Sequence, residues 1–172
     1  MSFNELASQR KSVRGFTSQE IPKEYLDKIL EAAVQSPSGG NRQPWHFYVI
    51  TDKTVIRQIH EKAYPADWFL TAPLVFAVCV DAERSGARYG DRGRMLYSIQ
   101  DTGAAIQSIL LCARDLGLGT CWCGAFDEQA VAEILKMPEN LRPVALIPTG
   151  YDNSSSPKPA RRPMSEVVTY VG

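Results

Sequence analysis

The sequence predicts an α+β fold, in which helices pack against a mostly antiparallel sheet. The first observation is that three apolar segments, 45–51, 72–81 and 142–151, have the length and composition of strands. The second is that helical patterns separate them without forming regular strand–helix–strand units. The third is the length of 172 residues, which fits one domain, 1–172, whose core needs neither disulfide nor metal.

Two helices are predicted before the first strand. Ser2 followed by Glu5 matches a capping box at the start of a short helix. Pro22 suits the first position of a second helix. The apolar residues of this second helix recur on one face, and Pro37 with the glycines behind it ends the helix; that face consists of Tyr25, Leu26, Ile29, Leu30, Ala33 and Val34.

The middle of the chain alternates strand, helix and strand. After the strand at 45–51, "TDKTVIRQIHEKA" predicts a helix with Val55, Ile56 and Ile59 facing inward. Residues 72–81 are apolar throughout, which is typical of a strand buried on both faces. Residues 82–95 are polar and contain glycine, so we interpret them as a mobile excursion or lid rather than a domain linker.

The longest helix is predicted at 96–116. Eight of the ten residues 104–113 are apolar, and a domain of this size rarely encloses one helix completely, so we expect a subunit interface there. A glycine stop and a short strand follow in "GLGTCWCGAF", and Asp127 suits the N-cap of a last helix. After the strand at 142–151, the strand-like tail 160–172 has no apolar partner of its own, and we expect it to reach a second subunit.

Composition excludes several classes of function. Lys plus Arg and Asp plus Glu are both 19, so no global field favours nucleic acid or membranes. The N-terminus has no apolar run that would predict a signal peptide. With no export signal, the four cysteines predict reduced thiols and a cytoplasmic protein.

Two groups of cations are candidates for binding an anion. Arg10, Lys11, Ser12 and Arg14 place three cations and a hydroxyl within five residues, and guanidinium groups match phosphate oxygens. A solvated basic face at a helix end would give the same pattern. A second pair, "RR" at 161–162, stands just before a proline and means little alone.

An amide-rich loop precedes the first strand. Its polar groups can bond to the edge of a flat ligand, and its glycines let the backbone approach closely. The loop includes Pro37, Ser38, Gly39, Asn41 and Gln43. Alternatively it is a helix C-cap in which Asn and Gln satisfy the loop backbone.

The remaining motifs are weak. Gly117 and Gly119 begin a dinucleotide fingerprint, but Trp122 occupies its third glycine position. Cys121 and Cys123 form C-x-C, yet the chain has only two histidines and no C-x-x-C, so we predict no metal and interpret the cysteines as core residues. Anion-binding cations without a catalytic triad suit a protein that holds a flat, anionic and reactive cofactor.

Four segments, in this order along nearly the whole chain, resemble the FMN-dependent nitroreductase family. They are "RKSVRGF", "AVQSPSGGNRQPWHFYVI", "QDTGAAIQSILLCARDLGLGTCWCGAF" and "PARRPMSEVV". The resemblance implies a nitroreductase-type α+β sandwich that forms a domain-swapped homodimer through its C-terminal tails. It also implies FMN at the subunit interface.

The resemblance assigns roles to particular residues. Arg10, Ser12 and Arg14 would contact the phosphate, the ribityl chain or the pyrimidine edge, with Lys11 beside them. Either Arg161 or Arg162 would grip the phosphate. The loop residues Pro37, Ser38, Gly39, Asn41 and Gln43 would reach the flavin from the partner subunit, and main-chain groups of Cys123 and Gly124 would approach the ring.

The implied activity is that of an FMN-dependent NAD(P)H oxidoreductase. NAD(P)H would give hydride to flavin N5 and leave, and a nitroaromatic, quinone or similar acceptor would then take the electrons, so the kinetics would be ping-pong. No side chain is then expected to be catalytic. Dehalogenation, dehydrogenation or flavin breakdown, and a flavin carrier or sensor, remain alternatives. The arginines at 84, 88, 92 and 94 either bind an anionic substrate or lie in a solvated loop.

Overall fold

The computed structural model describes residues 2–155 and 157–172. The helices of this part of the chain are α1 (Phe3–Gln9), α2 (Lys23–Val34), α3 (Lys53–Lys62), α4 (Ala82–Arg92), α5 (Ser98–Asp115) and α6 (Glu128–Ile134). The strands are β1 (Trp45–Ile50), β2 (Leu74–Val80), β3 (Gly119–Thr120) and β4 (Arg142–Gly150). Short 3-10 helices lie at Gly39–Asn41, Asp67–Thr71 and Met164–Glu166, and a π-helical turn spans Gly93–Tyr97.

The sheet has the order β1-β2-β4-β3, and each neighbouring pair is antiparallel. The predicted α+β class with an antiparallel sheet is therefore confirmed. All seven residues of β2 are buried, as its uninterrupted apolar sequence predicts. Because side chains alternate along a strand, Val75 and Ala77 enter one core cluster, whereas Leu74, Phe76 and Val78 enter the other.

Helices cover both faces of the sheet. Ile59 of α3 and Val131 of α6 belong to the first cluster, and Ile29 of α2 and Ile106 of α5 belong to the second. All four side chains are essentially inaccessible to water, and burying each contributes about 1.5–3 kcal/mol before the cost of chain ordering. Val34 departs from the predicted face of α2, because its side chain is 45% exposed.

The predicted helix starts are confirmed by their caps. Ser2 accepts from the Glu5 amide at 3.3 Å, and the Glu5 carboxylate accepts from the Ser2 amide at 2.7 Å, which completes the capping box. Asp127 accepts from the Ala130 amide at 3.0 Å at the start of α6. Pro22 differs by one residue from its predicted place, because it is the N-cap of α2 and Lys23 is the first helical residue.

Two segments differ from the prediction. Residues 82–95, which we expected to be an irregular excursion, form α4 and part of the π-helical turn that leads directly into α5. The tail does not form the expected strand; after the short turn at Met164–Glu166 its residues are exposed. A strand needs a neighbouring strand for its hydrogen bonds, and pairing of the tail with a second subunit stays a prediction.

Helix α5 crosses the second face of the sheet and carries the largest share of its cover. Eight of its residues are buried, but Gln107 is exposed and Ile99 is 40% exposed. The single chain therefore leaves part of this helix uncovered. Within the described residues, no helix has both the length and the apolar character needed to cross a membrane.

Candidate functional site

The segment 10–16 leaves α1 in an extended conformation and lies beside β3. The Val13 amide donates to the Thr120 carbonyl at 2.9 Å, and Ser12 forms a parallel bridge with Thr120. Val13 is buried in the core, so residue alternation directs Ser12 and Arg14 away from it. Lys11 forms an ion pair with Asp152 at 2.9 Å. The fold thus separates Lys11 from the other polar members of the motif.

A pair of buried thiols lies beside this segment. A hydrogen bond with Cys123, together with the charge of Arg14 and the hydroxyl of Ser12, lowers the pKa of the Cys121 thiol. The hydrogen bond with Cys121 and burial raise the pKa of Cys123. Burial and a hydrogen bond with Cys123 also raise the pKa of Tyr64. No sequence pattern indicated these partners, which come from three separate segments.

Three cations converge at the C-terminal end of α1. The Lys158 ammonium donates to the carbonyls of Ala7 and Ser8, the former at 3.2 Å. Partial desolvation and then the charges of Arg161 and Arg10 lower the pKa of Lys158. Carbonyls at a helix C-terminus attract cations, which explains why Lys158 docks there. Lys158 was not among the predicted site residues, and its signal in the sequence is a lysine close to the arginine pair.

The positive charge of this cluster is not neutralised by neighbouring acids. Among residues 2–155 and 157–172, neither Arg10 nor Arg161 has a carboxylate within ion-pairing distance. Arg162 differs, because its Nε lies 3.0 Å from the Glu166 carboxylate. Arg10, Lys158 and Arg161 therefore form an uncompensated cationic cluster that suits a dianion.

The amide-rich loop is attached to different elements. The Gly39 amide donates to Asp101 of α5 at 3.0 Å, and Ser38 accepts from the Gln43 amide at 3.0 Å. The Gln43 side chain donates to the Asn41 side chain at 3.1 Å. The alternative interpretation had Asn and Gln bonding to the loop backbone, and the long contact of 3.5 Å from the Gln43 side chain to the Asn41 carbonyl matches it. Together these bonds fix the loop in one shape.

That shape is strained. Asn41 and Gln43 have φ of 55° and 48°, in the left-handed region that non-glycine residues seldom adopt. Gly40 has φ of 56°, and a Cβ there would lie 2.5 Å from the Tyr89 hydroxyl oxygen. Such conformations cost about 1–3 kcal/mol each and cluster at ligand sites. The loop is thus held open to solvent against α4 and α5 despite its strain.

Asp101 anchors the loop, and it was not among the residues that the sequence predicted for the site. It is buried, and burial raises the pKa of its carboxyl, while the hydrogen bond from Gly39 opposes the shift. Its Oδ2 is buried with no hydrogen-bond partner among the described residues. An acid near the start of the longest predicted helix was the available signal. We conclude that Asp101 positions the loop.

The pairing of Cys123 with β4 restricts which main-chain groups a ligand can use. The Cys123 amide donates to Leu146 at 2.9 Å, and the Cys123 carbonyl accepts from Leu146 at 3.0 Å. Both main-chain groups of Cys123 are therefore occupied. Gly124 is exposed, and a Cβ there would meet no atom within 4 Å. Of the two residues, Gly124 has the more accessible main chain.

Comparisons with known proteins agree with this architecture. The model of the Nitroreductase family matches residues 7–66 and 57–151. A protein of Archaeoglobus fulgidus, named as a candidate NADH dehydrogenase or NAD(P)H nitroreductase, is 34% identical over 146 residues, which cover 83% of this chain and 80% of that protein. The FMN reductase [NAD(P)H] of Bacillus subtilis is 28% identical, with 93% of this chain and 70% of that protein covered.

A solved structure extends the comparison to the whole fold. A nitroreductase family protein from Clostridium difficile superposes with a TM-score of 0.84 at 34% identity, covering 99% of this chain and 98% of that one. The α+β fold is that of the oxidoreductases in this comparison. The chain belongs to the nitroreductase family.

Proposed function

We propose that the chain is an FMN-dependent oxidoreductase that takes hydride from NAD(P)H and reduces a nitroaromatic, a quinone or a similar acceptor in a ping-pong cycle. The observation that carries the proposal is the uncompensated cluster of Arg10, Lys158 and Arg161 at the end of α1. A phosphate monoester supplies the missing negative charge. Bound FMN would supply the redox chemistry, with hydride accepted at N5.

The residues of the chain fit the parts of FMN in order. Arg10, Lys158 and Arg161 would hold the phosphate, and Arg161 is the better candidate of the arginine pair because Glu166 engages Arg162. Ser12 and the exposed Arg14 lie farther along the same extended segment, where the ribityl chain and the pyrimidine edge would follow. No side chain is assigned a nucleophilic or proton-transferring role.

The loop of Pro37, Ser38, Gly39, Asn41 and Gln43 would cover the ring from a partner subunit. Its anchors are on α4 and α5, whereas the cationic cluster is on α1 and the tail. We therefore propose a homodimer with its site at the interface. The four free cysteines support a reducing, cytoplasmic compartment.

The test begins with the purified protein. Heat release and chromatography should identify FMN, and anaerobic NAD(P)H should bleach the flavin absorbance. An acceptor screen on the FMN-loaded protein then separates nitro or quinone reduction from other flavin chemistry. Bleaching without turnover of any acceptor would favour a carrier or sensor. A colourless protein that cannot be reconstituted with FMN would contradict the proposal.

A further inference from the structure

A second group of cations lies on α4 and the turn after it. Arg94 takes both nearby acids: its guanidinium bonds to the Glu83 carboxylate at 2.7 and 3.0 Å and to Asp91 at 3.2 Å. Consequently the other arginines of the segment keep their charge uncompensated. We call the group formed by Arg42, Arg84, Arg88 and Arg92 the arginine surface. Among the residues that the structure describes, none of the four has a carboxylate within ion-pairing distance.

The arginine surface is ordered by its own contacts. The Arg84 Nε–H donates to the Arg42 carbonyl at 3.1 Å, and the Arg42 Nε–H donates to the Arg84 carbonyl at 2.6 Å. Each bond uses only the Nε–H of its guanidinium, so the terminal nitrogens can still fork onto an anion. The pair also joins α4 to the end of the loop.

Aromatic rings hold the other two members. The guanidinium carbon of Arg88 lies 5.4 Å from the centroid of the Tyr89 ring, and that of Arg92 lies 5.4 Å from the centroid of the Tyr97 ring. The centroids of the two rings lie 5.2 Å apart in an edge-to-face arrangement. The Arg92 Nε–H donates to the Tyr97 hydroxyl at 3.0 Å. Stacked guanidinium groups lose less freedom when they bind an anion.

The arginine surface borders the loop that covers the proposed flavin site. A Cβ at Gly40 would lie 3.1 Å from a terminal nitrogen of Arg88, and one at Gly39 would lie 3.5 Å from the Tyr97 ring. A substrate that reaches the ring beneath this loop would therefore extend its remaining groups past the arginines. Neutral nitroaromatics and quinones carry no negative charge that could pair with these cations, whereas a phosphorylated donor carries such a charge.

We infer that the arginine surface binds the phosphates of the nicotinamide donor and selects NADPH over NADH through the additional 2′-phosphate. The inference rests on the proposed function. NADH and NADPH share every other group, so a preference between them reports on that phosphate alone. Guanidinium forks match phosphate geometry, and a site with four unpaired cations favours the more highly charged of two otherwise identical ligands.

The first experiment follows flavin reduction by stopped-flow absorbance, with NADPH and NADH as donors. We expect FMN-loaded wild type to prefer NADPH. Arg88→Gln should reduce the ratio of the two second-order rate constants roughly tenfold, the effect of losing one partly exposed charge-assisted hydrogen bond. Arg84→Gln is the second variant. Arg57→Gln, which removes an exposed arginine of α3, is the charge-matched control and should leave the ratio unchanged.

The second experiment needs no redox chemistry. Calorimetric titration should show that adenosine 2′,5′-bisphosphate binds the FMN-loaded protein more tightly than AMP does. Arg88→Gln should remove the difference, and added salt should reduce it because the arginines are exposed. An equal loss in Arg57→Gln would show a general charge effect and overturn the inference.

The outcomes separate the two proposals. Equal reduction by both donors, with FMN bound, overturns this inference and leaves the proposed function intact. If Arg88→Gln slows reoxidation by 4-nitrobenzoate but not reduction by NADPH, the surface serves an acidic acceptor and the inference is wrong. If the protein neither binds FMN nor is reduced, the proposed function fails, and the same calorimetric comparison on the protein as purified, without flavin, still decides whether the surface recognises the 2′-phosphate.

Discussion

Arg161 and Arg162 are neighbours in the chain, but the fold gives them different surroundings. The charge of Arg161 acts on Lys158 at the end of α1, whereas Arg162 is paired with Glu166. The sequence could identify the pair as a candidate phosphate contact and could not choose between its members. That choice depends on the position of the Glu166 carboxylate, which lies four residues after Arg162 in the chain.

We predict that Arg161→Gln weakens FMN binding about tenfold and that Arg162→Gln changes it less. Losing a charged hydrogen bond costs about 1.5–3 kcal/mol, and the exposure of Arg161 favours the lower end. The measurement is quenching of flavin fluorescence on titration of the apoprotein. Arg162→Gln is the matched control, since it removes the same charge one residue away. The reverse order of effects would show that Arg162 holds the phosphate.

The buried thiols test whether any side chain takes part in the chemistry. Cys121 has a lowered pKa, which is the usual sign of a reactive thiol, but its side chain is only 3% exposed. We predict that Cys121→Ala and Cys123→Ala keep both flavin half-reactions within about tenfold, or ~1.4 kcal/mol of barrier, per bound FMN. Stopped-flow reduction and reoxidation would be measured separately. A thousandfold loss at full FMN occupancy would mean that a thiol participates directly.

At the scale of elements, α4 shows why composition misled the sequence analysis. The polar residues and glycines of 82–95 were typical of a loop, yet Gly86 of α4 and Gly93 of the following turn are buried where chain segments approach closely. A Cβ at Gly93 would overlap the Ser85 carbonyl oxygen, and one at Gly86 would lie 2.5 Å from the Arg94 side chain. Sequence does not distinguish a glycine needed for close packing from one in a flexible loop.

We predict that Gly93→Ala destabilises the protein by about 1–3 kcal/mol, because the added methyl group has no space beside backbone. Gly103→Ala is the control. Its Cβ would make an ordinary contact of 3.8 Å with Trp122, and it lies within α5, so alanine should be neutral or stabilising by up to ~1 kcal/mol. Chemical denaturation would measure both. Equal stability of the two variants would show that the turn after α4 adapts easily.

The anchor between α5 and the loop depends on pH. Because burial raises the pKa of Asp101 in the folded state, the folded protein holds this proton more strongly than the unfolded chain does. The contribution of Asp101 to stability therefore increases as pH falls through its folded pKa and is complete below the unfolded value. At neutral pH the buried charge is a cost.

We predict that Asp101→Asn unfolds at the same or a higher temperature than wild type at pH 7, because Asn keeps an acceptor for the Gly39 amide and carries no charge. The difference should shrink at about pH 4, near the ordinary carboxyl pKa. Asp101→Leu removes the acceptor and should lower the unfolding temperature at both pH values. If the unfolding temperature of Asp101→Asn is lower than that of wild type at pH 7 only, the charge itself is stabilising.

At the scale of the whole molecule, the sequence predicted the layers better than the site. The uninterrupted apolar run of β2 was enough to predict a central strand covered on both faces, because burial on two sides leaves no position for polar residues. The cationic cluster joins α1 to a tail about 150 residues away, through Lys158 and the carbonyls of Ala7 and Ser8. No local pattern encodes such a contact.

The same tail leads to the last prediction. Beyond Pro163 it carries apolar side chains that the single chain leaves in water, Val167 at 57%, Tyr170 at 88% and Val171 at 95% exposure. In the described sheet, β1 lies at one end of the order and so presents an outer edge, and α5 has an uncovered face. Exposed apolar segments and free strand edges usually mark association surfaces.

We predict that the 172-residue chain is a homodimer and that deletion of residues 164–172 lowers its dimer content and its solubility. The deletion leaves Arg161 and Lys158 in place, so a loss of FMN in the truncated protein would follow from the missing interface and not from the missing phosphate contacts. Light scattering after size-exclusion chromatography would measure the mass, and the flavin absorbance would measure occupancy. Deletion of 171–172 alone is the control, and it should retain more dimer because most of the tail remains. If the chain cut after Pro163 stays soluble, monomeric and loaded with FMN, the swapped-tail dimer is wrong and the site is complete within one subunit.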